Sequence, residues 1–147
     1  MKIIVINGPN IQLLGLRKPE IYGRATLSDL QNRLENVAKE LKVDISFFQS
    51  NHEGEIVDII GTAVKNEITG IIINPAAYTH TSIAIHDALE SVGIPAIEVH
   101  ISNIHRREEF RRKSVTAPAC LGQISGLGIE GYEWALRAIT DYLKKSN

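Results

Sequence analysis

The chain has 147 residues, close to the commonest size for one domain and enough for a substantial core. Its 44% hydrophobic and 22% charged residues and its net charge of −1 are ordinary for a globular protein, and they supply no electrostatic reason to bind nucleic acid or a membrane. The single cysteine, Cys120, excludes an internal disulfide and fits a reducing, cytoplasmic compartment.

No segment approaches the roughly 18 apolar residues of a membrane span, and the opening run Met1 to Ile6 is too short for a signal peptide. Ile3 to Ile6 is a continuous apolar run stopped by Asn7-Gly8-Pro9, which predicts a fully buried strand. A loop from Gly8 to Ala25 follows, far longer than the usual βα connection of about 2–6 residues. Thr26-Leu27-Ser28-Asp29 then offers a capping-box-like start, and Leu27, Leu30, Leu34, Val37, Ala38 and Leu41 recur at helical spacing.

Val43 to Gln49 predicts the second strand, with a helix entry at Ser50-Asn51-His52 and apolar helical positions at Ile56, Ile59, Ile60, Ala63 and Val64. Gly70 to Ile73 predicts the third strand and about Thr81 to Val92 the helix after it. Ala96 to His100 predicts the fourth strand, and Asn103 is placed to cap a short charged helix reaching about Arg112. Cys120 to Ser125 predicts a fifth strand, and Tyr132, Leu136, Ile139 and Leu143 mark the last helix. Five βα units with apolar strands predict a parallel sheet covered on both faces, in one domain over residues 1–147. The size suits a flavodoxin-like, three-layer α/β arrangement with ligands held outside the carboxyl ends of the strands.

Polar residues concentrate at those ends. The long first loop carries Asn10, Arg17, Tyr22 and Arg24; the third strand leads into Asn74 and Thr79-His80-Thr81-Ser82; the fourth ends in Glu98-Val99-His100-Ile101-Ser102, with Arg107 and Arg111 beyond it. Each has a structural reading when taken singly: a packing tyrosine, a turn asparagine, structural histidines, arginines on a solvated helix face. Convergence from separate loops on one crevice is what those readings leave unexplained.

Other signals fail on context. Gly126 to Gly131 fits GxGxxG, yet no strand follows it and no acidic residue lies at the required distance, so tight helix–sheet packing is the better account. His80 and His86 are six apart and do not share a helix face, so they do not make a helical metal pair. Cys120, inside a predicted strand, is expected to behave as a small hydrophobe.

Taken in order, Ile6-Asn7-Gly8-Pro9-Asn10, Leu13-Leu14-Gly15, Tyr22-Gly23, Gln49-Ser50-Asn51, Asn74-Pro75, Thr79 to Ser82, Glu98 to Asn103, Arg107 to Arg111 and Gly126 to Tyr132 resemble the type II 3-dehydroquinate dehydratases over essentially the whole chain. The resemblance implies reversible dehydration of 3-dehydroquinate to 3-dehydroshikimate without metal or organic cofactor. It implies Tyr22 as a tyrosinate base that removes a C2 proton, and His100 as the acid that protonates the leaving C1 hydroxyl. Asn10 would hold a water at the enolate oxygen, and Arg17 would activate the tyrosine. Asn74, His80 and Arg111 would bind substrate hydroxyls, and the backbone amides of Ile101 and Ser102 would cradle the carboxylate at a helix N-terminus. Glu98 would orient His100, Arg107 would be a second cation near the tyrosine, and Asp87 would reach a neighbouring subunit's site in a dodecamer of four trimers. The sequence departs from the family's usual pattern at Lys18, at Ile11-Gln12 and at Val115, none of them a residue with an implied catalytic role.

The implied chemistry is affordable in magnitude. Lowering a tyrosine by two units from its reference near 10 requires about 2.7 kcal/mol. One arginine at ~4 Å supplies on the order of 4 kcal/mol at an effective dielectric of ~20, against an opposing desolvation term. Histidine titrates near neutrality by its nature, which suits His100 as the acid. A non-catalytic sensor for a hydroxylated cyclic acid and a flavin-binding protein are the competing expectations for such a crevice.

Overall fold

The structure, a computed structural model, describes residues 1–16 and 18–146. Five strands form one sheet: β1 (Lys2–Asn7), β2 (Asp44–Gln49), β3 (Gly70–Asn74), β4 (Ala96–His100) and β5 (Gly122–Ser125). All neighbouring pairs are parallel, in the order β2-β1-β3-β4-β5. Around them lie α1 (Pro19–Tyr22), α2 (Leu27–Leu41), α3 (Glu53–Thr62), α4 (Ile83–Val92) and α5 (Glu130–Lys145). This is the flavodoxin-like α/β order expected from the sequence, with its topological switch beside β1 and β3.

The period-2 geometry of a strand divides the core into two layers. Ile3 and Val5 of β1, Ile72 of β3 and Val99 of β4 meet Leu30 and Leu34 of α2 and Leu136 and Ile139 of α5. Ile4, Ile6, Ile71 and Ile73 turn to the other face, against Ile56 and Ile60 of α3 and Ile85 and Leu89 of α4. On β4 that second face also carries Ala96, Glu98 and His100, all buried. Register pairs Glu98 with Ile73 on one side and Gln123 on the other, so a carboxylate stands in the middle of the sheet.

Local signals are realised where their partners are local. Thr26 Oγ1 accepts the Asp29 N–H at 3.1 Å while Asp29 Oδ2 accepts the Thr26 N–H at 2.9 Å, a complete capping box for α2. Ser82 Oγ accepts the Ile85 N–H at 2.9 Å, so α4 begins at Ile83, two residues later than the apolar spacing suggests.

Two expectations need correction. The charged helix from Asn103 to Arg112 is instead two 3-10 turns, Ile104–Arg106 and Glu109–Arg111, separated by an extended Arg107. Only Ile104 in these turns is buried, and a short segment without a buried face cannot offset the cost of helix nucleation. Asn103 still caps the first turn, accepting the His105 N–H at 3.1 Å. The fifth strand begins at Gly122, and Cys120 lies outside it, half-buried, after a 3-10 turn (Ala117–Ala119). Burial pushes the Cys120 thiol up to about 12, with the Glu98 charge adding to it, so it is not a nucleophile. Among the described residues no helix is long and apolar enough to cross a membrane.

Candidate active site

A crevice of about 310 Å³ opens beyond the carboxyl ends of β1, β3 and β4. Its volume is at the small end of ligand pockets, about 300–1,000 Å³, which suits a small acid far better than a dinucleotide. Asn10 reaches it from the first loop, Asn74 and His80 from the end of β3, and His100, Ile101 and Ser102 from the end of β4. Arg107 and Arg111 close the side formed by the two 3-10 turns. Eight residues singled out from the sequence are therefore brought together.

Asn10 sits in the left-handed region at φ 69°, a conformation that asparagine tolerates, and its N–H donates to Asn51 Oδ1 at 3.0 Å. Gln49 braces the same loop, donating to Gly8 O at 3.2 Å and Gln12 Oε1 at 3.0 Å. Asn74 is almost wholly buried and its amide is fixed at both ends. Its Nδ2 donates to Tyr132 Oη at 2.8 Å, and its Oδ1 accepts the N–H of Ala76 at 3.1 Å. Tyr132 Oη in turn donates to Asn7 Oδ1 at 2.7 Å. Burial holds Tyr132 well above the usual phenol range, so it remains a hydroxyl donor. The second Nδ2 hydrogen of Asn74 is thereby left for the crevice.

His80 Nδ1 lies 2.8 Å from the Lys113 carbonyl, which requires Nδ1 to carry the proton and leaves Nε2 for a ligand. His100 Nε2 lies 2.7 Å from Glu98 Oε1. Glu98 is fully buried, and it does not line the crevice but stands behind His100. Burial acts to raise its carboxyl, but hydrogen bonds from His100, Thr116 and Gln123, with the His100 charge, together hold it below the ordinary carboxylate value. Glu98 is thus an anion in the core of the protein.

The basic side is organised by Glu108. Arg107 Nη1 donates to Ser102 Oγ at 3.2 Å, and its Nε lies 3.4 Å from Glu108 Oε2. Arg111 Nε lies 3.3 Å from the same oxygen, an ion pair without hydrogen-bond alignment, and its guanidinium stands 4.9 Å from the Phe110 ring centroid. Because that segment is not helical, Arg112 Nε donates to the Arg107 carbonyl at 3.0 Å rather than reaching Glu108 one turn away. For the same reason Ile101 and Ser102 precede a three-residue 3-10 turn, so a helix macrodipole adds little to any carboxylate cradle there. Asp87 does not line the crevice and is exposed on α4. Arg17 and the side chain of Tyr22 lie outside the described residues; the backbone of Tyr22 ends α1.

Residues 1–140 match the dehydroquinase class II family. The chain belongs to the class II dehydroquinase family. A 3-dehydroquinate dehydratase of Endomicrobium trichonymphae is 59% identical over 142 residues, spanning 97% of this chain and 99% of that one. A 3-dehydroquinate dehydratase of Caldicellulosiruptor bescii is 58% identical over 97% of this chain and 98% of its own. The crystal structure of the type II dehydroquinase from Butyrivibrio crossotus superposes with a TM-score of 0.93 at 51% identity, covering 95% of this chain and 97% of that one.

Within this dehydroquinase fold, Gly126 and Gly131 of the rejected dinucleotide motif are packing residues, whereas Gly128, at φ +62°, has open space around it and serves only its turn. A Cβ at Gly131 would come within 3.3 Å of Ile124 Cγ2, and one at Gly126, where φ is +90°, within 2.8 Å of Asn103 Cβ. His86, Asp87 and Glu90 have ligand atoms within 4.8 Å of one another, a grouping that sequence spacing did not suggest; all are on α4 and none lines the crevice. Sequence reasoning also passed over Ser114, Thr116 and Gln123, and it read Tyr132 as a core position of the last helix without its hydrogen bonds to Asn7 and Asn74. Their roles depend on contacts across the fold, and no local spacing signals them.

Proposed function

We propose that this class II dehydroquinase catalyses the reversible dehydration of 3-dehydroquinate to 3-dehydroshikimate, by anti elimination through an enolate. The observation that carries the reading is the buried Glu98–His100 pair opening into a small crevice ringed by Asn10, Asn74, His80, Arg107 and Arg111. An acid, amide donors and cations of this kind suit a ring bearing hydroxyls and one carboxylate. The relatives named 3-dehydroquinate dehydratase support the same substrate.

In this mechanism Tyr22, as tyrosinate activated by Arg17 and Arg107, removes the C2 proton, and Asn10 holds a water at the enolate oxygen. His100, paired through Nε2 with Glu98, gives the proton on its other nitrogen, Nδ1, to the departing C1 hydroxyl. Asn74, His80 and Arg111 hold substrate hydroxyls, and Ile101 and Ser102 hold the carboxylate with Arg107 nearby. No cofactor or metal takes part. The enzyme acts in the cytoplasm as one catalytic domain, and its reaction serves aromatic amino acid biosynthesis by the shikimate pathway or quinate breakdown alike.

The test is to mix purified protein with 3-dehydroquinate and EDTA and follow the enone absorbance of the product. A steady rise that EDTA does not suppress is expected, and Tyr22→Phe, checked for folding, is expected to lower it about 100-fold or more. No rise from folded protein that still binds substrate would favour the sensor reading, and near-normal turnover in Tyr22→Phe would remove the tyrosine from the role of base. The proposal extends to a dodecamer of four trimers, in which Asp87, exposed on α4, reaches a neighbouring subunit's crevice. Light scattering at assay concentration should give a mass near that assembly; a monomer would overturn it.

A further inference from the structure

Behind the crevice, Glu98 is held by more than the histidine it faces. Oε1 accepts from His100 Nε2 at 2.7 Å, Ser114 Oγ at 2.8 Å and Gln123 Nε2 at 2.7 Å, and Oε2 accepts from Thr116 Oγ1. Four donors are about as many as a carboxylate can take. The donor sense at Ser114 is settled by its other bonds: its oxygen already accepts the N–H groups of Thr116 at 3.3 Å and Ala117 at 2.9 Å, so its proton is directed at Glu98. Gln123 stands beside Glu98 in the β4–β5 register, and Thr116 is wholly buried. A fully buried carboxylate with only a histidine partner would be expected to take up a proton itself, because burial disfavours its charge. Three neutral donors have no proton to surrender at neutral pH, so they stabilise the anion without competing for the histidine's role.

We propose that Ser114, Thr116 and Gln123 are positioning residues that keep Glu98 ionised and fixed against His100, so that β5 and the segment leading into it support the acid of a crevice they do not line. The inference rests on the reading of His100 as the acid. Other titratable groups near the pair are Cys120 from the turn before β5, His86 of α4, which bonds the Val115 carbonyl, and His80, Arg107 and Arg111 across the crevice. None of them is changed in the test.

Thr116→Val removes the hydroxyl at nearly constant shape, and Thr116→Ser restores it. Two readouts are compared: the pH dependence of kcat, and the pH dependence of the melting temperature, which reports Glu98 without reference to turnover. Glu98 is held low in the folded state, so its contribution to stability is present above the ordinary carboxylate value and is lost as pH falls through its folded value. Loss of one donor raises the folded value and moves that fall upward. In Thr116→Val the acid limbs of both profiles are expected to move up by about one pH unit, and in Thr116→Ser to return to the parent position. Gln123→Met, at a half-buried site, should move both limbs the same way and guards against a Thr116→Val protein that does not fold. Melting profiles that differ only by a constant offset, or a serine variant that matches valine, would overturn the proposal. A shifted melting profile with an unshifted kcat limb would uphold the clamp on Glu98 but overturn its proposed link to turnover, and with it the reading of His100.

Discussion

Replacing His100 by asparagine is expected to lower kcat by about 10²–10⁴-fold, the usual contribution of a positioned general acid. The substitution removes the imidazole that bonds Glu98 and the group at the end of β4 that offers a proton to the crevice. Substrate binding should change far less, because Asn74, His80 and Arg111 reach the crevice from other turns. Folding should also survive. Glu98 keeps Ser114, Thr116 and Gln123 as donors, so the buried carboxylate is not left unpaired. The checks are kcat and KM from the enone absorbance, with thermal melting as the control for folding. Turnover within tenfold of the parent would mean that another group protonates the leaving hydroxyl.

The largest effect on stability is expected from Gly8→Ala. Gly8 follows β1 and immediately precedes Pro9 and Asn10 of the crevice wall, and its N–H donates to the Asn74 carbonyl at 2.8 Å. A Cβ there would lie 2.4 Å from the Pro75 carbonyl oxygen and 2.7 Å from its carbon. Both are backbone atoms at the end of a central strand, and neither can rotate aside. Either the β1 loop separates from β3 or the sheet end distorts, and the loss should be about 3 kcal/mol, at the upper end for overpacking. Asn74 and Asn10 flank this contact, so activity should fall with stability. Chemical denaturation measures the first and turnover the second. Gly61→Ala is the matched control: the position is within α3, a Cβ there meets nothing within 4 Å, and stability should hold or rise. If Gly8→Ala unfolded at the parent's denaturant midpoint, close approach of the two loops would not be what requires glycine.

Near Gly8 the backbone also carries conformations that side-chain spacing does not reveal. Ala76, at φ 53°, lies in the left-handed region that costs a non-glycine residue about 1 kcal/mol. Its N–H bond to Asn74 Oδ1 is what that turn supplies, orienting the amide toward the crevice. The strain and the oriented amide therefore belong to one local arrangement.

How far the amino-acid order alone reached is clear from where expectation and structure agree. The runs Ile3 to Ile6 and Gly70 to Ile73 could be read as buried strands because strand burial is written in consecutive apolar residues. The α2 capping box was legible because its two partners lie three residues apart. Asn10, Asn74, His80 and His100 were placed in one crevice by a topological argument alone, since a parallel sheet brings every strand's carboxyl end to the same edge. At residues 103–112 the expected charged helix has no buried face to support it, and two 3-10 turns stand there instead. The fifth strand starts at Gly122 rather than Cys120, because a short apolar run does not state where pairing begins.

The sequence by itself determined the order of βα units, the parallel sheet, the capping of α2 and the edge at which chemistry is concentrated. All of these follow from local preference and from the periodicity of burial. Only the tertiary structure decided which polar groups meet. Tyr132 bridges Asn7 and Asn74 across separations of 125 and 58 residues, and Glu98 draws Ser114, Thr116 and Gln123 from 16, 18 and 25 residues away. Apolar burial is non-directional and repeats with the helix or strand, so it leaves a pattern in the chain. A hydrogen bond needs two particular atoms at a fixed distance and angle, and only the packed sheet brings them there.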